Sequence, residues 1–385
     1  MKILTVAIPN HHFFKWIEHL KTSGHDVFWF DITDGGSKAE RINWIEQFKG
    51  WKLKYDFPFR HTIKKQFPKL YKIIQKLNER NPDKIFGKII RDIQPDIIHC
   101  FEMQLSGLPI LETLENNREI PLIYSSWGSD MFYFQELGVT KNEATRFLKR
   151  ADYLITDCKR DFVIAKDSGF ANEFLGVFPG NGGLSIDATK IKTFQERNII
   201  LIKGYNDGVG QAVKVLQAIE LLSMDVLYNN EIVVYSADAS VEEYIKNSEK
   251  LSALNIKIYH RNTFIPNSKV LELMGKSTLH IANSISDGMP NALLEAMAMG
   301  SFPIQSNPGH VSEEVITHNS NGLLIENPLN ETEIAQLITE SLNDNGLRKN
   351  AQDYNINFMA KNYNRSTLQP QIINLYETIL STKQK

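Results

Sequence analysis

Two cysteines, Cys100 and Cys158, are all that 385 residues contain. Two thiols make no disulfide framework, and neither has a second ligand at a metal-binding spacing, which fits a reducing, cytoplasmic setting. Long apolar runs are also missing. No stretch approaches the ~18 apolar residues that a spanning helix needs. The N-terminus, MKILTVAIP, has neither a basic leader nor an apolar core followed by a cleavage site, so no signal peptide is expected. Charge of one sign is absent in bulk: Lys and Arg number 43, Asp and Glu 45, for a net charge of -2. That balance excludes nucleic-acid binding through overall charge. The glycine spacings of the dinucleotide fingerprint and of the P-loop do not occur, and no Asp-x-Asp pair is visible that would bind a metal. What remains is a globular composition, long enough for two or three domains with ample core.

The most informative stretch runs from Ser284 to Gly300, SISDGMPNALLEAMAMG. Its first half is a cluster of turn formers that follows the apolar run Leu279 to Ala282. Its second half is made of strong helix formers, with Pro290 where a first helical turn tolerates proline and Gly300 where a C-cap glycine belongs. The predicted unit is strand, tight loop, helix. The unpaired N–H groups of the helix start then point into the space outside the strand end, a place suited to phosphate or sugar oxygens. Asp287 in the loop and Glu295 about one turn into the helix are placed to face one ligand. The plainer alternative is a capped surface helix with Glu295 in water.

This run resembles the donor-binding signature of retaining glycosyltransferases of the family-four type, the glycosyl transferases of group 1. That signature is an acid, Gly, a short turn with Pro, then Leu-Leu-Glu-Ala-Met-Ala. Glu295 matches the second Glu of the family motif, and Asp287 stands where its first Glu is expected.

The rest of the chain alternates strands and helices. Lys2 to Ile8 reads as a strand, His12 to Ser23 as a helix and Asp26 to Phe30 as a second strand, a βαβ opening that favours a parallel sheet. The loop Pro9-Asn10-His11-His12 lies at a strand's C-terminal end, where such sheets bind ligands, so His11 or His12 is either a ligand contact or a helix-entry residue. Pro95 to Glu102 and Pro121 to Ser126 are further strands, the latter ending in Trp127-Gly128-Ser129-Asp130. Similar transferases carry His-Gly-x-Asp there, lining the cleft. Trp127 is a stacking platform for a sugar ring or a packing residue; Asp130 is a cleft residue or a helix cap. The turn formers Pro179 to Gly183 close the first domain, with a linker to about Arg197.

Asn198 to Tyr205 opens a second α/β repeat, with a turn containing Gly204, Gly208 and Gly210 whose N–H groups are suited to cradling a diphosphate. The resembled family commonly has Gly-Arg and then a Lys there. Tyr205 and Gly210 occupy those positions, leaving Lys203 as the best substitute cation and Arg261 as a weaker one. Residues 49 to 91 are locally basic, including Lys64, Lys65, Lys69 and Lys72, with Trp51, Phe57, Phe59, Phe67, Leu70, Tyr71, Ile74 and Leu77 interleaved. Such a pattern suits an anionic membrane surface. It equally suits an amphipathic helix packed on the sheet with its lysines in water.

The resemblance implies a GT-B fold: two Rossmann-like doubly wound α/β domains facing a cleft. The acceptor-side domain spans about 1–190, joined by a C-terminal helix at about 365–385 that crosses back to it, and the donor domain spans 191–364. It implies a retaining transfer of a sugar from a nucleotide diphosphate sugar to a glycan or lipid-linked acceptor, in surface polysaccharide or glycoconjugate assembly. Asp287 would orient the donor sugar, and Glu295 would accept the ribose hydroxyls. Lys203, Gly204 and the helix start Gly288, Met289, Pro290 and Asn291 would hold the diphosphate. His11, Trp127 and Asp130 would lie on the acceptor side. No metal or other cofactor is expected. The expected place is the cytoplasm, with the inner face of the membrane as the alternative. A non-catalytic GT-B-like protein that only binds sugar nucleotides is the alternative function.

Overall fold

The computed structural model describes every residue except 57, 59, 264, 384 and 385; Phe57 and Phe59 of the basic segment therefore lie outside the described residues. The chain divides into two compact units. One comprises residues 1–157, 161–182 and those from Gln369 on; the other comprises 158–160 and 183–368. The division falls at Gly182–Gly183, within the turn-rich stretch of the sequence.

The first unit is built on β1 (Lys2–Ala7), β2 (Asp26–Asp31), β3 (Glu46–Phe48), β4 (Ile97–Phe101), β5 (Leu122–Ser125), β6 (Tyr153–Thr156) and β7 (Glu173–Val177). They form one sheet in the order β3-β2-β1-β4-β5-β6-β7, every neighbouring pair parallel. The central strands are apolar almost throughout, as a sheet covered on both faces requires. Leu4, Val6, Phe30 and Ile98 pack with Phe86, Ile89 and Ile90 of the helix Pro82–Ile93. That helix starts at a proline, is capped by Asn81 accepting from the Lys84 N–H, and stops at Gln94 in the left-handed region. The strand order reverses between β1 and β4, which pair directly.

The second unit repeats the plan with β8 (Ile199–Lys203), β9 (Glu231–Ala237), β10 (Ile256–His260), β11 (Ser277–Ala282), β12 (Phe302–Ser306) and β13 (Leu323–Ile325). Their order is β10-β9-β8-β11-β12-β13, again parallel throughout, with the reversal between β8 and β11. In doubly wound sheets, ligands bind beyond the strand ends at such a reversal.

The last helix, Arg365–Lys383, packs with the second unit up to Leu368 and with the first from Gln369 on. Within the first unit the Tyr376 hydroxyl lies 3.0 Å from Trp16 Nε1 and 2.7 Å from His99 Nδ1, and His99 Nε2 lies 2.8 Å from Ser125 Oγ. Burial pushes the His99 imidazole down to about 3, so a neutral ring serves both bonds.

Two elements differ from expectation. The helix expected over 12–23 is α-helical only over His11–Ile17 and tightens to a 3-10 turn over Glu18–Thr22, where Ser23 Oγ bonds the Leu20 carbonyl. The basic segment is not one helix. It breaks into Arg60–Gln66, Pro68–Asn78 and Pro82–Ile93, the second and third each starting at a proline that cannot continue the helix before it. Among the described residues no helix is long and apolar enough to cross a membrane.

Candidate active site

Lys203 closes β8, and the loop carrying Asp287 follows β11, so both stand at the reversal of the second sheet. Backbone pairing joins the two loops: the Gln211 N–H donates to the Asn283 carbonyl (2.9 Å) and the Ile285 N–H to the Val209 carbonyl (3.0 Å). Asp287 is half-buried. Burial raises its carboxyl above the ordinary aspartate value, while the Lys203 charge, the Gly288 N–H and the Arg160 charge pull it back. An anionic carboxylate beside a lysine at a strand end can orient hydroxyls while the lysine meets a phosphate.

Arg160 is the residue sequence reasoning missed. Its Nη2 donates to the Asp287 carbonyl and its Nη1 to the Pro308 carbonyl, each at 2.8 Å, so one guanidinium ties the loops after β11 and β12. It is itself fixed by Glu314, which accepts the Lys159 and Arg160 N–H groups at 2.9 and 3.1 Å. Arg160 lies 127 positions before Asp287, and no local pattern marks it.

Glu295 sits on the predicted helix, Asn291–Ala298, and is only 8% exposed. This differs from a solvated carboxylate: Oε1 accepts from Asn267 Nδ2 at 3.1 Å. The Glu295 charge adds to burial in raising the Tyr235 hydroxyl, which lies 2.9 Å from His280 Nε2. Burial, and then the Lys203 charge, push the His280 ring down to about 3, so it stays neutral. Tyr235 and His280 are thus joined by a hydrogen bond, with the Glu295 charge acting on the first, the Lys203 charge on the second, and Lys203 acting also on Asp287.

Three donor-side expectations are corrected. Gly204 does not offer its N–H to a diphosphate, because it donates to the Tyr235 carbonyl at 2.8 Å. Its glycine is needed for space: a Cβ there would lie 2.6 Å from the Ala237 Cα. Pro290 is the N-cap residue, and the helix begins at Asn291. Met289 turns its side chain into the apolar cluster with Leu293, Leu294 and Val311, so that side chain is core and not a donor contact. Gly300 ends the helix region at φ 73, as its place in the sequence implied.

In the first unit, the loops after β1, β5 and β7 meet. The rings of His12 and Trp127 lie 5.8 Å apart, and both come within 3.6 Å of where a Cβ on Gly180 would stand. Trp127 also lies 5.9 Å from Phe101. His11 is not brought to this group. It is exposed, with Nδ1 3.3 Å from Arg41 Nη1, and the helix-entry role falls to Asn10, whose Oδ1 accepts from the Phe13 N–H. Asp130 is neither a cap nor a ligand-facing group. It is buried and accepts from Trp127 N (2.8 Å), Met103 N (2.9 Å) and the Tyr124 hydroxyl (2.6 Å). Its task is to hold the Trp127 turn. Glu102, beside it at φ 69, is pushed up to about 8 by burial and then by the Asp130 charge.

Residues 186–358 match the family model described as glycosyl transferases group 1, and residues 85–158 match that of glycosyl transferase 4-like. Together the two matches take in more than half of the chain. Among solved structures, sucrose-phosphate synthase from Thermosynechococcus elongatus is similar at 14% identity, with a TM-score of 0.71 over 99% of this chain and 100% of that one. A glycosyltransferase from Rickettsia africae gives 16% identity and a TM-score of 0.68 over 98% of both chains. Anabaena HepE, in complex with UDP and glucose, gives 14% and 0.64 over 98% of this chain and 100% of its own. No curated protein sequence matches the chain. The fold is GT-B, and the protein is a glycosyltransferase. The chain belongs to the glycosyl transferases of group 1.

Proposed function

We propose that this glycosyltransferase moves a sugar from a nucleotide diphosphate sugar to a glycan or lipid-linked acceptor, with retention at the anomeric carbon, in surface polysaccharide or glycoconjugate assembly. The observation that carries the reading is the convergence of Lys203, Asp287 and the start of the helix Asn291–Ala298 at the β8/β11 reversal. Lys203 neutralises the diphosphate as its bond to the sugar breaks, and the helix start adds partial positive charge. Asp287 accepts hydrogen bonds from the donor sugar's hydroxyls, and Glu295 from the ribose. Retention follows if the acceptor hydroxyl attacks from the side on which the diphosphate departs, its proton passing to a phosphate oxygen of the leaving group. That HepE has been seen with UDP-glucose supports a uridine diphosphate sugar as donor. The His12–Trp127 pair supports the first unit as the acceptor side, and an acceptor held at an anionic membrane surface fits the basic segment.

The test is titration with UDP against GDP, then incubation with the matching nucleotide sugars and candidate acceptors. Mass spectrometry identifies the product and NMR its anomeric configuration. Inverted product overturns the retaining route; binding of neither nucleotide overturns the donor site.

A further inference from the structure

From Arg60 to Asn78 there is no acidic residue, while Arg60, Lys64, Lys65, Lys69, Lys72 and Lys76 are present. The structure separates Lys69, Lys72 and Lys76 from the rest of the basic segment, much of which is engaged within the protein: Arg60 pairs with Asp56 at 3.6 Å, and Lys64 lies over the Tyr71 ring. Lys49 pairs with Asp31 at 2.9 Å, and Arg80 donates to the Trp51 and Leu53 carbonyls. Lys54 donates to the Leu77 carbonyl, and Trp51 is buried with its Nε1 bonded to the Asp31 carbonyl.

The helix Pro68–Asn78 is different. At 100° per residue its side chains fall into rows. Tyr71 is buried and Ile74 half-buried, so this row faces the protein. The next row, Leu70, Ile73 and Leu77, stands 51%, 61% and 73% exposed, with Phe67 exposed at the helix entry. The row beside it is Lys69, Lys72 and Lys76, all exposed. Both outward rows follow the same i, i+3, i+7 spacing, so a line of apolar side chains runs parallel to a line of ammonium groups with no carboxylate between them.

We propose that this helix docks the protein on an anionic phospholipid surface. It lies in the interfacial plane with Leu70, Ile73 and Leu77 inserted and Lys69, Lys72 and Lys76 at the headgroup phosphates. Charge complementarity selects this occupant. Protein interface cores are depleted in lysine, whereas an apolar row edged by lysines matches the boundary between acyl chains and phosphates. The proposal deepens the membrane-held acceptor reading and rests on it for its purpose, although the docking itself needs no catalysis.

The test is co-sedimentation of the full chain with phosphatidylcholine vesicles and with equal parts phosphatidylcholine and phosphatidylglycerol, at low and high salt. Binding should require phosphatidylglycerol and fall with salt. It should weaken roughly a hundredfold in Lys69→Glu/Lys72→Glu/Lys76→Glu and at least about tenfold in Leu70→Ser/Ile73→Ser/Leu77→Ser. Because these side chains are exposed, transfer to a water-soluble acceptor should keep its rate in both variants. The lipid and salt dependence of the unaltered protein decides the matter even if a variant misfolds. Equal binding to phosphatidylcholine alone, undiminished binding in folded variants, or no binding to anionic vesicles at low salt overturns the proposal. In the last case the helix face belongs to a protein partner. Docking without transfer to any lipid-linked acceptor sinks only the acceptor reading; transfer to such an acceptor without docking sinks only the docking.

Discussion

Arg261 stacks its guanidinium on Tyr205, the Cζ 3.9 Å from the ring centroid, and the Lys203 ammonium lies 4.6 Å from the same centroid. Tyr205 occupies the position where the resembled family carries an arginine. The ring has no charge of its own, but it gathers two cations around it, one from the end of β8 and one from just beyond β10. The two are not equivalent. Arg261 is engaged by Asp207 at 2.9 Å and Asp238 at 3.2 Å, so much of its charge is already answered. Lys203 instead acts on Asp287.

Lys203→Ala should therefore lower kcat/KM by about a hundredfold, the usual loss on removing one stabiliser of developing charge. Arg261→Ala should cost less than about tenfold, in line with a solvent-accessible cation–π contact. Tyr205→Phe should change little, because the stacking uses only the ring face. Steady-state kinetics on the three variants checks the ranking, and a reversal would make Arg261 the main diphosphate clamp.

Asp287 sits in an environment that burial makes unfavourable for charge. Its folded value is raised, so the ionised form that binds hydroxyls is lost at a higher pH than for an exposed aspartate. The same raised value means that its charge costs stability at pH above its ordinary range, and protonation relieves that cost. Asp287→Asn should lower turnover by about a hundredfold or more while leaving the melting temperature at neutral pH unchanged or higher. Lys203→Ala removes the positive charge that does most to offset burial, so it should move the acid limb of the pH–rate profile upward. A pH-independent rate through the acid range would show that the Asp287 carboxylate is not required.

Much of the donor half was legible because its signals are local. Turn formers, then Pro290 and a run of helix formers, then Gly300, lie within one strand–loop–helix unit, and that unit carries Asp287 and Glu295. What was not legible depends on distance in the chain. Arg160 reaches the Asp287 carbonyl only because residues 158–160 pack with the second unit. Asp130 looks like a cleft acid in its Gly-Ser-Asp turn, yet its neighbours Met103 and Tyr124 arrive from other segments and consume its oxygens. Gly204 sits in a turn that resembles a phosphate cradle, but register with β9 claims its N–H. The basic segment gave one charge pattern, and only the fold could sort its inward lysines from the outward row.

The acids behind Trp127 make a stability prediction. Asp130→Ala would leave Trp127 N, Met103 N and the Tyr124 hydroxyl without their acceptor. At about 1 kcal/mol or more for each, the loss is about 3 kcal/mol, or roughly 6–12 °C in Tm. Nucleotide affinity, which belongs to the second unit, should hold. The Glu102 carboxyl is raised from 4.5 to about 8. A raised folded value means that the fold binds a proton the unfolded chain has released, so stability falls as pH rises from about 4.5 to about 8. Thermal melts of Glu102→Gln should flatten that decline. A decline as steep as that of the unaltered protein would assign it to other groups.

Glu295 offers the sharpest test of the donor site, because one of its oxygens is already committed. Oε1 accepts from Asn267 Nδ2, which fixes the carboxylate on the helix and restricts how it can meet a ribose. Glu295→Ala should abolish detectable transfer and weaken nucleotide binding by roughly ten- to a hundredfold, the worth of a hydrogen bond to a buried charge. Asn267→Ala keeps the carboxylate and removes one hydrogen bond to it, so it should raise the nucleotide Kd by less, about tenfold or under, with turnover at saturating donor largely retained. Calorimetric titration of UDP against both variants, beside kinetics, separates the two roles. If Glu295→Ala binds UDP as tightly as the unaltered protein, the buried carboxylate is structural, and the ribose must be held elsewhere along the loop from Ser284 to Pro290.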